Sequence, residues 1–530
     1  MLDSIWPVLL YLQCLLGVVS TASCLSPLGR CSTLTTSGKL IGDCKDSKVH
    51  KYLSVPYAEP PIGNLRLADP RPFQKDLSVT ISTAELPPSC PQLGDPNISE
   101  DCLYLNIYAP TTNGFKPVLF WIYGGSNFQG SSRDPIFDGT TFAKNENVVI
   151  VTYNYRLGVL GFFDDGGNTN YAVKDTLLAL KWVKNNIGRF GGDNTKITVF
   201  GNSSGGALIR AMLASPSARG LVNNAIFQSD PQNFGFTNRT TSRDYISGYI
   251  MSLLGCSDFQ CVKNKSLSDI LTAQYKLLGS TSSLPSYLNK AYLFGPVIDN
   301  QILFEDYGNS LKDGSLTNKV DTIIGFVNTE AGPSINAISQ TPLPQAYYGT
   351  VMSAFVDPRI IPEIISSDPA FTSILNSNHT DSTREQLTFT GSSIFWTCPS
   401  QYNAVNSAGH RKTYVYKLTK GIQHPTNSGN SLCSNGAVCH QDDLYLTFGT
   451  YTKASPELAA LSKEIQKRWA NFARTGNPNY NGVLGWDPVA SASNLNVLNL
   501  GDNKILAGVD TNACTNLHQA TEYNFEIYSH

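Results

Sequence analysis

The segment 196–215 constrains the fold more strongly than any other part of the sequence. It begins with an apolar run, KITVF, passes through the glycine-rich turn GNSSGG at residues 201–206, and continues into the helix-forming stretch ALIRAMLAS. A tight elbow between a buried strand and a helix needs small neighbours at Gly201 and Gly205, because a Cβ there would clash. The pattern predicts a strand, a sharp turn with Ser203 at its apex, and a helix.

Other segments repeat the alternation of strand and helix. Residues 118–123 (VLFWIY) and 148–153 (VVIVTY) are short apolar runs typical of buried parallel strands. Residues 171–187 have helical spacing, and an amphipathic helix at 457–475 is stopped by Gly-Asn-Pro. These patterns predict an α/β fold with a large, mostly parallel or mixed central sheet and helices on both faces. Residues 340–395 are less regular, which suits an insertion above the sheet where substrate pockets are built.

The composition is that of a globular protein with a near-neutral surface. Hydrophobic residues make up 41% of the chain, so a large core is available and extensive disorder is excluded. The 39 basic and 41 acidic residues nearly cancel, and this balance argues against a nucleic acid or an anionic membrane as partner.

The N-terminus resembles an export signal. Residues 5–19 are mostly apolar and precede the small residues Ser20, Thr21 and Ala22, which suit cleavage by signal peptidase. The run is short for a membrane anchor and is interrupted by Pro7. We expect residues 1–22 to be a signal peptide and residues 23–530 to form a single secreted domain without a membrane span.

Cysteine usage agrees with export. Cys31 and Cys44 flank a strand pattern with a Ser37-Gly38 turn, so a two-residue hairpin would place them opposite each other. Connectivity cannot be proved from sequence, and Cys14 and Cys24 are left over. Three further candidate disulfides would close short loops and a fourth would join distant segments: Cys90 with Cys102, Cys256 with Cys261, Cys433 with Cys439, and Cys398 with Cys514. No Cys/His cluster has zinc spacing, so no metal site is expected.

Glycosylation sequons predict modified surface loops. They occur at Asn97, Asn238, Asn264 and Asn378. A further match at Asn202 lies in the predicted buried turn, where we expect no glycan.

Ser203 has the context of a nucleophile. A serine hydroxyl needs a base within hydrogen-bond reach and an acid that orients the base. A phosphate-binding turn is disfavoured because neither a Lys-Ser/Thr pair nor GxGxxG accompanies it. The chain order serine, acid, histidine requires the histidine base to follow Ser203. The residues alone do not choose among the six histidines that do so: His379, His410, His424, His440, His518 and His530.

Longer motifs resemble the type-B carboxylesterase family, which includes cholinesterases and some fungal lipases. The resemblance spans nearly all of the mature chain and implies an α/β-hydrolase fold that hydrolyses carboxylic esters. It rests on five segments: SEDCLYLN at 99–106, VPYAEPPIGNLR at 55–66, NYRLGVLGF at 154–162, RFGGD at 189–193, and WANFARTGNP at 469–478.

The resemblance also implies the remaining site residues. Segment 325–330 (GFVNTE) resembles the family segment that ends in the catalytic acid, which assigns Glu330, and segment 436–449 assigns His440 as the base. Asp442 and Asp443 are the alternative acid. Segment 121–126 (WIYGGS) resembles the oxyanion loop, whose donors would be the N–H groups of Gly125, Ser126 and Ser204.

Three positions near the predicted site depart from the family pattern. Asn202 replaces the usual acidic residue, Ser126 a glycine and Ser204 an alanine. The resemblance also implies two internal ion pairs, Arg66 with Glu100 and Arg156 with Asp175.

The expected reaction is two-step acyl transfer from a small-molecule ester through an acyl-enzyme on Ser203, with neither metal nor organic cofactor. The loop between Cys90 and Cys102 has 11 residues and lacks an aromatic, so we expect neither a lipase lid nor the amine-binding tryptophan of cholinesterases. Two alternatives stay open: an acyltransferase or lactonase that uses the same acyl-enzyme, and a catalytically silent binding protein.

Overall fold

The computed structural model describes residues 29–279, 293–377 and 379–521. The predicted signal peptide at 1–22, the leftover cysteines Cys14 and Cys24, and the sequon asparagine Asn378 lie outside these ranges. None of the helices in the described ranges is long and apolar enough to cross a membrane.

Fifteen strands occur in the described residues, and thirteen of them form one sheet. The strands are β1 Arg30–Thr35, β2 Gly38–Asp43, β3 Val49–Pro56, β4 Thr80–Ser82, β5 Tyr104–Pro110, β6 Lys116–Ile122, β7 Val149–Tyr153, β8 Gly192–Asn202, β9 Asn224–Gln228, β10 Thr237–Asn238, β11 Val297–Ile298, β12 Asp321–Val327, β13 Thr413–Leu418, β14 Asn496–Leu500 and β15 Lys504–Ala507.

The α-helices lie between and after these strands. They are α1 Thr140–Glu146, α2 Gly158–Phe162, α3 Tyr171–Asn186, α4 Ser204–Ala214, α5 Gly248–Leu254, α6 Phe259–Asn264, α7 Leu267–Gly279, α8 Tyr307–Lys312, α9 Gly332–Ile338, α10 Tyr348–Met352, α11 Ile361–Ser367, α12 Ser382–Ser392, α13 Cys398–Ser407, α14 Leu444–Phe448, α15 Pro456–Thr475 and α16 Thr511–Thr521. A π-helical turn, Ser393–Thr397, joins α12 to α13.

The centre of the large sheet is parallel and its edges are antiparallel. The order is β1-β2-β3-β5-β7-β6-β8-β9-β12-β13-β14-β15, with β4 paired to β2. Along this order the pairings from β7 to β14 are parallel, and those from β1 to β7 and between β14 and β15 are antiparallel. The side pairing of β4 with β2 is parallel. Every residue of β6, β7 and β9 is buried, as expected for strands covered by helices on both faces. The predicted fold class is confirmed.

The N-terminal hairpin differs from the predicted one by one residue. Thr35 pairs with Gly38, so the turn consists of Thr36 and Ser37 rather than Ser37 and Gly38, and Cys31 lies opposite Gly42. Cys44 follows the end of β2 and reaches Cys31 diagonally, with the two Cα atoms 5.8 Å apart. The disulfide therefore forms without the direct opposition of the two cysteines that their spacing predicts.

Five disulfides are present in the described residues. They join Cys31 to Cys44, Cys90 to Cys102, Cys256 to Cys261, Cys398 to Cys514 and Cys433 to Cys439. These are the pairings considered from the sequence.

Two internal ion pairs join distant segments. The guanidinium of Arg156 donates to both carboxylate oxygens of Asp175 at 2.8 and 2.7 Å, and both side chains are buried. Arg66 pairs with Glu100 in the same two-pronged way and also donates to the carbonyls of Lys263 and Lys265. Because a buried carboxylate is costly without a partner, the first pair fixes the start of α2 against α3.

The asparagines of the sequons differ in exposure, and Asn202, where no glycan is expected, is among them. Asn97 and Asn264 are exposed, Asn238 is partly buried at the end of β10, and Asn202 is fully buried. The exposure of the first two suits a glycan acceptor, and glycosylation itself stays a prediction.

Candidate active site

Ser203 occupies a strained elbow between β8 and α4. Its backbone angles are φ 56° and ψ −126°, outside the regions that side chains favour. Its N–H donates to the carbonyl of Gln228 on the neighbouring strand at 3.0 Å, which holds the turn. A Cβ at Gly205 would lie 2.1 Å from the carbonyl oxygen of Ile122. The small residues around the serine are therefore required by the close approach of β6.

Glu330 and His440 are in direct contact. A carboxylate oxygen of Glu330, Oε2, lies 2.6 Å from Nδ1 of the imidazole, and its other oxygen accepts the N–H of Val327 at 2.8 Å. Glu330 follows β12 by three residues, and Ser203 follows β8, so both project from the carboxyl edge of the parallel sheet. The carboxylate is fully buried, whereas the imidazole is 16% exposed.

The environment of His440 favours its protonated form. Burial acts to lower the pKa of the imidazole, but the hydrogen bond and charge of Glu330, aided by the charges of Asp443 and Asp442, raise it above the usual value. His424, the nearby histidine, is kept neutral because burial and the charge of His440 lower its pKa to about 4. The imidazole of His440 can therefore accept a proton and share the resulting charge with a buried carboxylate.

The alternative acids have other partners. Asp442 accepts the N–H groups of His424 and Cys439, at 2.7 Å each, and so holds the histidine turn together. Asp443 accepts the side-chain amide of Gln228 at 2.6 Å, and burial raises its pKa to about 6. Among the described residues, Glu330 is the carboxylate that contacts a ring nitrogen of His440.

Ser203 and His440 line the same cavity. The serine hydroxyl makes no hydrogen bond within the described residues, either to the imidazole or to another group. Contacts between nucleophile and base are often long in a substrate-free site and shorten when substrate binds.

The expected oxyanion loop lies beside the elbow. Gly125 has φ 115°, and a Cβ there would lie 2.2 Å from the carbonyl oxygen of Gln129. Ser126 accommodates its Cβ in the left-handed conformation, with φ 52°. Within the described chain, the N–H groups of Gly125, Ser126 and Ser204 donate to no other protein atom. They are therefore available to a developing oxyanion.

Two side chains tie this loop to its surroundings. Ser204 Oγ accepts the N–H of Asn127 at 3.2 Å, which joins the loop to the start of α4. Gln92, a buried residue of the short Cys90–Cys102 loop, exchanges two hydrogen bonds of 2.8 Å with the backbone of Gly130. The sequence did not point to Gln92, because a lone glutamine in a loop carries no pattern.

The cavity has a volume of about 390 Å³ and is mainly apolar. Among the described residues that line it, Glu330 and His440 are the ionisable ones. The segment predicted to lie above the sheet, 340–395, contributes part of the wall. The apolar walls include Phe234, Ile335, Met352, Phe355, Phe395 and Trp396.

Trp396 is a site residue that the sequence did not identify. It lies in the π-helical turn, its ring meets the edge of the His440 imidazole at 5.6 Å between centroids, and its indole N–H donates to the carbonyl of Ser229 at 2.9 Å. A π-helical turn is itself frequent at functional sites. No local sequence signal predicted this turn.

Asn202 is a neutral residue next to Ser203 in the elbow. It is fully buried, its amide donates to the carbonyl of Gln228 at 3.3 Å, and its Oδ1 has no partner among the described residues. The negative charges that act on His440 therefore come from Glu330, Asp442 and Asp443.

One group in the described residues has the geometry of a metal site, and it lies outside the active site. It comprises Cys31, Cys44 and His50. Since the two sulfurs are joined in a disulfide, they offer no thiolate to a metal.

Solved structures of esterases share this architecture. The chain superposes on a structure titled PNB esterase with a TM-score of 0.77, at 26% identity, over 92% of this chain and 99% of the other. The serine elbow at the carboxyl edge of a mostly parallel sheet is thus that of an α/β-hydrolase.

Sequence comparison gives the family. The profile of the carboxylesterase family matches residues 31–525. The chain is 33% identical to the cAMP-regulated D2 protein of Dictyostelium discoideum, over 87% of each chain. It is 31% identical to carboxylesterase 1C of Rattus norvegicus, over 85% of this chain and 86% of the relative. The chain belongs to the carboxylesterase family and is a carboxylic ester hydrolase.

Proposed function

We propose that Ser203, His440 and Glu330 form a catalytic triad that hydrolyses esters through an acyl-enzyme. His440 removes the Ser203 proton while Oγ bonds to the ester carbonyl carbon. The carbonyl π electrons move to oxygen, and Glu330 stabilises the imidazolium. When the tetrahedral intermediate collapses, the ester C–O bond breaks and His440 returns the proton to the departing alcohol. Water then repeats the sequence on the acyl-enzyme and releases the acid.

The observation that carries this proposal is the 2.6 Å contact between buried Glu330 and His440, in the same cavity as the strained serine. The N–H groups of Gly125, Ser126 and Ser204 are the proposed donors to the oxyanion. Loss of one such donor typically costs about 3–4 kcal/mol of transition-state stabilisation.

The proposed substrates are soluble, uncharged esters with a compact apolar part. Support comes from the apolar walls and the volume of about 390 Å³, which suit a small ligand with few polar contacts. The loop between Cys90 and Cys102 is short, and Gln92 fastens it to Gly130, so we expect no lid movement. Activity toward p-nitrophenyl esters of increasing chain length should show no jump where the substrate exceeds its solubility.

We further propose that the enzyme is secreted. Five disulfides in the described residues favour an oxidising compartment, and the apolar N-terminal run suits a signal peptide. Expression of the full-length chain, followed by N-terminal sequencing of protein from the medium, tests this. A mature end near residue 23 is expected, and retention of the protein in the cell with residues 1–22 intact would contradict it.

A fluorophosphonate probe tests the proposed nucleophile. The probe should label the folded protein on Ser203, as mapped by peptide mass spectrometry, and the Ser203→Ala variant should not be labelled. If Ser203 stays unlabelled in folded wild-type protein, the chain is a silent binding protein and the proposal fails.

Hydrolysis and acyl transfer are separated by their products. With a competing alcohol at moderate concentration, a hydrolase releases mainly the free acid, because water captures the acyl-enzyme. A predominant new ester would identify an acyltransferase that uses the same serine.

A further inference from the structure

The disulfide between Cys433 and Cys439 closes the loop that leads directly to His440. The two cysteines are six residues apart and both are buried. Because Cys439 is bonded to His440 through the peptide backbone, any displacement of Cys439 moves the imidazole as well.

The same loop pairs with the loop that carries Glu330. Thr329 forms an isolated parallel bridge with Cys439, and its N–H donates to the carbonyl of Val438 at 2.8 Å. The residues that immediately precede Glu330 and His440 are therefore paired side by side. This backbone register sets the separation of carboxylate and imidazole.

The two sulfur atoms of the disulfide lie against Gly332, at the other end of the loop that carries Glu330 (the acid loop). A Cβ placed on Gly332 would be 3.0 Å from Sγ of Cys439 and 3.3 Å from Sγ of Cys433. The segment from Thr329 to Gly332 thus packs over the disulfide, with Glu330 between its two points of contact.

The loop that carries Glu330 and the loop closed by the disulfide lack close packing on one side. A second cavity of about 490 Å³ lies beside them, and it is lined by Asn328 and Thr329 of the acid loop and by Ser431, Leu432, Ser434 and Asn435 of the disulfide loop. A loop bordered by open space on one side has room to shift, and the disulfide adds a covalent restraint to the hydrogen bond from the Cys439 N–H to Asp442.

We propose that the Cys433–Cys439 disulfide is a positioning element for catalysis, which holds His440 in register with Glu330. The inference rests on the proposed triad. It adds Cys433 and Cys439, which act on catalysis by positioning His440. Misplacement of a catalytic group by about 1 Å can lower the rate by about 100-fold, so loss of this tie should lower kcat more than it affects substrate binding.

The test compares two disulfide deletions. In C433A/C439A, we expect kcat for p-nitrophenyl butyrate to fall by about 10-fold or more, with KM changed less than about 3-fold. The control, C256A/C261A, removes a partly buried disulfide of similar loop length outside the cavity. Since loops of similar length restrain the unfolded chain similarly, both variants should lose comparable thermal stability while the control keeps wild-type kcat.

The pH profile gives a readout that general destabilisation would not move. If the Glu330 contact loosens, burial dominates and the pKa of His440 falls, so the acid limb of kcat/KM should shift to lower pH in C433A/C439A only. A second variant, C433V/C439A, refills the space with apolar atoms but leaves the loops untied, and it should show the same kinetic defect. It also keeps the test decisive if the first variant folds poorly.

Either of two results would overturn the inference. One is wild-type kcat and an unshifted acid limb in folded C433A/C439A or C433V/C439A, and the other is an equal loss of kcat in C256A/C261A. A wild-type protein that is inactive and unlabelled by fluorophosphonate would instead refute the proposed triad, so the two failures are distinguishable.

Discussion

Replacing Glu330 by glutamine isolates the charge of the proposed catalytic acid from its shape. In the native protein, one carboxylate oxygen accepts the N–H of Val327 and the other contacts Nδ1 of His440. A glutamine that keeps the bond to Val327 must turn its amide N–H₂ toward Nδ1. The imidazole would then carry its proton on Nε2, where it cannot accept one from Ser203.

The magnitude follows from the lost charge and the wrong tautomer. Opposite unit charges about 4 Å apart, with an effective dielectric constant of about 20, attract by about 4 kcal/mol. That energy corresponds to a factor of about 1000 in rate, and the tautomer adds to it. An equivalent Asp-to-Asn change in a Ser-His-Asp triad lowers kcat about 10⁴-fold, so we expect kcat to fall by about 10³- to 10⁴-fold in Glu330→Gln.

The assay is kcat for p-nitrophenyl butyrate, with folding checked by circular dichroism. The matched control is Asp443→Asn, since Asp443 is buried nearby but contacts Gln228 rather than the imidazole. We expect the control to lose less than about 10-fold in kcat. If Asp443→Asn loses about 1000-fold while Glu330→Gln retains a tenth of the activity, Asp443 is the acid and our reasoning is wrong.

Three further predictions follow from the same structure. The acid limb of kcat/KM should have its midpoint above pH 6.5, because the raised pKa keeps His440 protonated and inactive as a base at lower pH; a midpoint below 6.5 would contradict the role of Glu330. Arg156→Met should lower the free energy of unfolding by about 3–5 kcal/mol in urea titrations, because it leaves buried Asp175 unpaired; a loss below 1 kcal/mol would contradict this. Trp396→Ala widens the cavity, so the ratio of kcat/KM for p-nitrophenyl octanoate over butyrate should rise about 10-fold; an unchanged ratio would place the acyl chain elsewhere.

Local patterns predicted the elements that flank Ser203. The predicted strand at 196–200 lies within β8, the predicted helix after it is α4, and the amphipathic segment at 457–475 lies within α15. These patterns are readable because burial, periodicity and the demand for small residues act over a few neighbouring positions. The predicted hairpin failed by one residue, since a disulfide between β1 and the end of β2 tolerates a diagonal pairing that cysteine spacing does not reveal.

The sequence predicted the distant residues of the site less well. The residues alone left six candidate histidines, and Glu330 was assigned through the family resemblance. Trp396 and Gln92 were missed because their contacts cross more than 30 residues and obey no local period. The pairing of the Thr329 and Cys439 segments could not be read from either segment alone.

The sequence by itself determined the α/β class, the serine elbow and the family, because these depend on short-range sterics and long ordered motifs. Only the tertiary structure decided which carboxylate meets His440 and what lines the cavity. The physical reason is the strand order β8-β9-β12, which brings residues more than 100 positions apart to one edge of the sheet. Convergence of this kind is a property of the whole packed chain, and no window of the sequence contains it.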